Sequence, residues 1–147
     1  METPASDRFR LTMFLFDTNV ISELRRPKPH GAVLQWVGSI EPEMWNLSAA
    51  TVGEIQAGIE RARVHDAVKA VEIEGWLDDL LHRITVLPMD TETFRIWARI
   101  MHGKPRDVLE DAMIVATALR HRLTVATRNV RDFELFSVPL INPFATT

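Results

Sequence analysis

The sequence predicts a three-layer α/β/α sandwich built on a central, mostly parallel sheet of four to five strands. Short apolar runs alternate with stretches of helical spacing along nearly the whole chain. Strands separated in this way pair in parallel, because a parallel partner is reached only through a crossover connection, usually a helix. A length of 147 residues suits one such domain with a single layered core.

The first twelve residues are polar and aperiodic, and read as an N-terminal extension, disordered or arising from an ambiguous start at Met1 or Met13. The domain then occupies residues 13–147. Met13-Phe14-Leu15-Phe16 is strand-like and stops at Asp17, too soon for a signal-peptide core or a membrane span. Beyond Asp17, Val20, Ile21 and Leu24 recur at helical spacing until Pro27 and Pro29 end the pattern. A second helix is expected from His30 to about Ile40, closed by Glu41-Pro42, and a short strand at Met44–Leu47. Val52, Ile55 and Ile59 keep the next helix in phase, and Val64 to His82 reads as a longer amphipathic one. Ile84–Leu87 is a strand ended by Pro88. Asp90-Thr91-Glu92-Thr93 looks like a helix start, with Phe94, Trp97, Ala98 and Met101 on the buried face. Leu109–His121 is a helix rich in small apolar residues, Leu123–Ala126 a strand, Thr127–Asp132 a polar loop, and Pro139-Leu140-Ile141 the last apolar run.

Charge and composition narrow the chemistry. Seventeen Lys and Arg against twenty Asp and Glu give 17 − 20 = −3, so the chain carries no general basic footprint and is not expected to hold DNA unaided. The absence of cysteine removes thiol nucleophiles and Cys-containing zinc sites, and fits a reducing, cytoplasmic setting. Phosphate-binding loops, dinucleotide fingerprints and the common zinc and serine hydrolase motifs are missing too. His30, His65, His82, His102 and His121 are scattered, without the spacing of a paired-histidine catalyst.

What remains is a set of acids at strand ends. In an open α/β sheet the functional crevice lies beyond the carboxyl ends of the strands. Asp17 follows the first strand directly, Glu54 lies a turn or two beyond the second, Asp111 opens the helix leading to the Leu123 strand, and Asn129 and Asp132 follow that strand. Carboxylates gathered this way repel one another, which raises at least one pKa and favours a shared proton or a bound cation. An open, all-oxygen cluster suits Mg²⁺. Each acid also has a plainer reading. Asp17 can cap the helix at Thr18, Glu54 fits the capping box Thr51-Val52-Gly53-Glu54, Asp111 (or Glu110) can complement a helix dipole, and Asp132 can cap the turn at Phe133. It is their joint placement that argues for a site.

Four blocks carry a family likeness: Phe14-Leu15-Phe16-Asp17-Thr18-Asn19-Val20-Ile21-Ser22-Glu23-Leu24, Ser48-Ala49-Ala50-Thr51-Val52-Gly53-Glu54-Ile55, Glu110-Asp111-Ala112-Met113-Ile114-Val115-Ala116-Thr117-Ala118, and Ala126-Thr127-Arg128-Asn129-Val130-Arg131-Asp132-Phe133. In this order and spacing the sequence resembles the PIN-domain ribonucleases, and among them the VapC and FitB toxins of bacterial toxin–antitoxin pairs. The resemblance implies a Mg²⁺- or Mn²⁺-dependent endoribonuclease with Asp17, Glu54 and Asp111 as core acids. It also implies a fourth group, Asp132 or else Asn129. Asp17 and Asp111 are expected to hold the ion, with Glu54 and Asp132 completing its surroundings or a second site. It further implies an RNA substrate cut to 5′-phosphate and 3′-hydroxyl ends, a homodimer, a VapB/FitA-like antitoxin, and DNA contact only through that antitoxin. A PIN nuclease of RNA processing, or a catalytically silent module pairing with a DNA-binding antitoxin, are the alternatives. Arg25, Arg26, Lys28, Lys104, Arg106, Arg128 and Arg131 flank the acids as possible phosphate contacts, and the four tryptophans read as core or interface.

Overall fold

The computed structural model describes residues 13–145, so the expected extension at residues 1–12 lies outside the described residues. The chain runs β1 (Phe14–Phe16), α1 (Thr18–Glu23), α2 (Gly31–Gly38), β2 (Trp45–Ser48), α3 (Ala49–His65), α4 (Ala67–Leu81), β3 (Thr85–Leu87), α5 (Thr91–Met101), α6 (Leu109–His121), β4 (Thr124–Ala126), α7 (Val130–Phe133) and β5 (Leu140–Ile141). All five strands pair in parallel, in the order β3-β2-β1-β4-β5. This is the expected α/β/α sandwich.

Strand β1 shows how sequence becomes layers. Its side chains alternate between the two faces, as the pleat requires. Phe16 joins Val20, Ile21, Leu47, Ile55 and Leu77 in a core roofed by α1 to α4. Leu15 joins Val115, Ala118, Val125 and Phe133 in a second core on the opposite face, under α6 and α7. Both Leu15 and Phe16 are fully buried. The small residues of α6 are explained here: Ala112, Ala116 and Ala118 let its backbone approach the sheet closely.

The strand order also fixes where the crevice is. From β1 the chain adds β2 and β3 on one side, then crosses over to add β4 and β5 on the other. The direction of winding therefore reverses between β1 and β4, and the carboxyl ends of those two strands form the natural binding edge.

Two expectations need correction. The longer helix expected from Val64 to His82 begins only at Ala67: Val64 and His65 still belong to α3, which runs on past Ile59, and the break falls at Asp66, whose side chain accepts from the Lys69 amide 3.1 Å away and so starts α4. Polar positions here lie on the solvent side and carry no periodic signal. Within the polar loop after β4, Val130–Phe133 form the single turn α7, anchored by the buried Phe133. Among the described residues no helix is long and apolar enough to cross a membrane.

Candidate active site

Asp17 stands at the junction of β1 and α1. Its own amide donates to the Ala126 carbonyl at the end of β4, 2.9 Å away, which continues the β1–β4 ladder by one more bond. Its side chain caps α1 as the sequence suggests, with Oδ1 accepting from the Thr18 amide at 2.8 Å. The other oxygen, Oδ2, accepts from Thr127 Oγ1 at 2.7 Å and from Asn19 Nδ2 at 3.1 Å. Thr127 Oγ1 in turn receives the Asn129 amide, and Asn19 Oδ1 receives the Arg128 amide. The loop after β4 is thereby tied to the first turn of α1 around one carboxylate. Burial pushes the Asp17 carboxyl above the ordinary range, the hydrogen bonds from Thr127, Thr18 and Asn19 oppose it, and the negative charge of Glu54 adds to the rise.

Glu54 is not a capping residue. Helix α3 starts at Ala49 with Ser48 as its N-cap, Ser48 Oγ accepting from the Ala50 amide at 3.1 Å, so Glu54 lies in the second turn. Its Oε2 instead accepts from Thr18 Oγ1 at 2.6 Å, across 36 residues of chain. The residue that caps nothing locally is held against the start of α1, one position from Asp17.

Asp111 sits in the first turn of α6, where the helix dipole favours a negative charge. Asp132 lies inside α7, so it is not the cap of the turn at Phe133; Asn129 occupies the N-cap position and makes no side-chain capping bond. The carboxyl of Asp111 is pushed up to about 6, by burial first and then by the negative charges of Asp17, Asp132, Glu54 and Glu110. Acids from four separate elements thus act on one another through space. That is the mutual repulsion expected of a cluster at the β1–β4 crevice.

The donor set fits a hard divalent cation: every acid offers oxygen, and the cluster's own repulsion is what a positive charge would relieve. Among the described residues, no three acidic or imidazole side chains stand close enough to ligate one ion together. Two carboxylates with water filling the remaining positions is how Mg²⁺ is usually held. Asp17 has both oxygens engaged by neighbours and Glu54 has one. The supporting residues Thr18, Asn19 and Thr127 are absent from the expected site. The first two were legible as hydroxyl and amide neighbours of Asp17, whereas Thr127 is tied to it only across 110 residues.

The raised Asp111 pKa has a stability consequence. The native carboxyl keeps its proton up to about pH 6, while in the unfolded chain it ionises near 3.8, so native stability falls as pH rises through that window. Asp111→Asn removes the charge. In metal-free buffer at pH 7.5 the variant is expected to melt roughly 2–4 °C higher than the parent, a gain of about 1 kcal/mol after allowing for solvent on the open side of this half-buried group. The gain should vanish near pH 4. Equal melting temperatures at both pH values would show that Asp111 feels no such strain.

Comparison with known proteins follows the same geometry. Residues 14–137 match the sequence model of the PIN domain, which takes in all four acids. This chain belongs to the PIN-domain family. Within it, the chain is 35% identical over 148 residues to toxin FitB of Neisseria gonorrhoeae, covering 90% of this chain and 99% of that one. It is 37% identical over 139 residues to the VapC ribonuclease Y4jK of Sinorhizobium fredii, covering 90% and 98%. The crystal structure of FitAcB from Neisseria gonorrhoeae superposes with a TM-score of 0.76 at 36% identity, covering 91% of this chain and 100% of that one.

The basic groups of this PIN domain divide by their partners. Arg26 pairs with Glu23, whose other oxygen accepts the His30 amide, so that pair staples the α1–α2 loop. Lys104 lies over the Phe136 ring and Arg128 over Phe144, leaving their charge free to face solvent. Trp36, Trp45 and Trp76 pack on the α1–α4 core and Trp97 on the other, in keeping with the structural role expected of them.

Proposed function

We propose that this PIN domain is the toxin of a toxin–antitoxin pair, a Mg²⁺- or Mn²⁺-dependent endoribonuclease acting at the crevice between β1 and β4. The observation that carries the reading is the electrostatic coupling of Asp111 to Asp17, Glu54 and Asp132, four acids drawn from distant parts of the chain. The likeness to FitB and to the VapC ribonuclease supports both the chemistry and the toxin role.

In this reading Asp17 and Asp111 hold the ion directly, and Glu54 and Asp132 act on it through water or help to hold a second one. A divalent ion bound there supplies charge neutralisation for the scissile phosphate and a lowered pKa for a water beside it. Asp17 is kept in place by three donors, so it presents its oxygens without reorganising when substrate arrives. Glu54, oriented by Thr18 Oγ1, faces the same edge and can accept the proton of the attacking water at its remaining oxygen, Oε1. Asp132 is contributed by α7. Because water is the nucleophile, the ribose 2′-hydroxyl is spared and the products carry 5′-phosphate and 3′-hydroxyl ends. The antitoxin, in this reading of the VapB/FitA class, silences the site, brings operator DNA to the complex and spares the acidic toxin any direct DNA contact; the toxin itself is a homodimer.

The test uses purified protein freed of any partner, with a structured RNA and Mg²⁺, Mn²⁺ or EDTA. Cleavage in either metal and none in EDTA is expected, with phosphatase-sensitive 5′ ends. Cleavage undiminished by EDTA, or 2′,3′-cyclic products, would reject the mechanism.

A further inference from the structure

A groove of about 290 Å³ opens from the candidate site along the outer face of α1, α3 and α4. Thr18 and Glu54, the hydrogen-bonded pair beside Asp17, line it where it meets the candidate site. Its floor is apolar, from Ile55 and Ile59 to Ile73 and the indole of Trp76, and its rim carries Arg25 and Arg61. A larger hollow of about 510 Å³, between α2 and the segment after β5, touches none of the acids.

The rim charges differ from the other arginines on this side of the molecule. Arg63 is held by Glu60 at 2.9 Å and Glu74 at 3.0 Å, and Arg26 is paired with Glu23. Arg25 and Arg61 are exposed, and among the described residues neither pairs with a carboxylate. Arg61 Nη2 lies 3.6 Å from where a Cβ on Gly58 would stand, an ordinary contact distance, so the exposed guanidinium lies back along α3 beside the groove it lines. Trp76 is half-buried, its body packed against the α1–α4 core. Among the described residues its indole N–H has no partner, unlike those of Trp45 and Trp97. An aromatic side chain with a free donor and two unpaired guanidinium groups lining one groove match the parts of a nucleotide, a flat base and a phosphate.

Resting on the nuclease reading above, we propose that this groove is the subsite for the nucleotide next to the scissile phosphodiester of a single-stranded RNA segment. Arg25 and Arg61 hold its phosphate, and Trp76 takes its base. The charge pattern favours RNA over an acidic peptide, because a backbone phosphate can be met at the exposed Arg25 and Arg61, whereas a carboxylate side chain seated within the groove would be repelled by Glu54.

The test is steady-state cleavage of a single-stranded RNA oligonucleotide in Mn²⁺ by the full chain and its variants Arg25→Gln, Arg61→Gln, Arg61→Lys, Trp76→Leu and Trp76→Phe, each checked for unchanged melting. Each Arg→Gln change is expected to raise KM roughly 5- to 20-fold with kcat within about twofold. Each should also flatten the dependence of log(1/KM) on log salt by about 0.7, one phosphate contact on a single strand. Arg61→Lys should regain the salt slope, and Trp76→Phe should regain most of the KM lost in Trp76→Leu. If the parent cuts RNA but both Arg→Gln variants keep its KM and salt slope, the subsite is overturned, the groove belongs to a protein partner, and the nuclease reading stands. If the parent neither binds nor cuts RNA in any metal, the nuclease reading fails and takes the subsite with it.

Discussion

Asp17→Asn is expected to lower kcat/KM for RNA at least about 10³-fold while leaving the fold intact. The amide is isosteric and its remaining oxygen can still accept from the Thr18 amide, while its Nδ2 can donate to the Thr127 hydroxyl but no longer accepts from Asn19, so the cap and part of the loop contact survive. What it removes is the negative charge at the centre of the cluster. On the proposed metal-dependent mechanism, several kcal/mol of transition-state stabilisation would depend on that charge holding a divalent ion, and each 1.36 kcal/mol is tenfold in rate. Circular dichroism should match the parent, and initial rates in Mn²⁺ should fall to the background of a mock purification. A variant retaining a tenth of the parental rate would remove Asp17 from the chemistry.

Phe16→Ala is expected to cost about 3–5 kcal/mol and to lower the melting temperature by roughly 10–20 °C. Phe16 is the last residue of the central strand and fully buried. Its ring packs at centroid distances of 5.6 Å from Trp36 and 5.5 Å from Trp45. Truncation empties the middle of the α1–α4 core, and the surrounding strand ends and helices cannot all close on the gap. Because Asp17 is the next residue, activity at moderate temperature should fall with the folded fraction. Chemical denaturation followed by tryptophan fluorescence measures the loss; a change below about 1 kcal/mol would mean that the site refills.

Much of this was readable in the sequence, for reasons that can be named. The five strands are short apolar runs with abrupt polar ends, so their positions emerged to within a residue or two: Met13–Phe16 was expected against Phe14–Phe16, and Ile84–Leu87 against Thr85–Leu87. Asp17 was legible as both cap and candidate acid because both roles follow from its place at a strand end. Glu54 was misread locally. Thr51-Val52-Gly53-Glu54 has the letters of a capping box, but the helix starts at Ala49 and Thr51 is buried, so the glutamate turns to Thr18. A pattern four residues long cannot reveal a bond spanning 36. Thr127 escaped for the same reason, and so did Arg61, whose significance lies in having no partner. Helix α7 was missed because four residues hold a single turn, too little for a period to show.

The Asp17 amide is bonded to Ala126 in the middle of the sheet, with strands on both sides. Its proton can exchange with solvent only when β1 and β4 separate, and that separation exposes both cores at once. The carboxylate proposed to hold the ion is therefore anchored to the central strand pair, so thermal inactivation and whole-domain melting should trace a single curve.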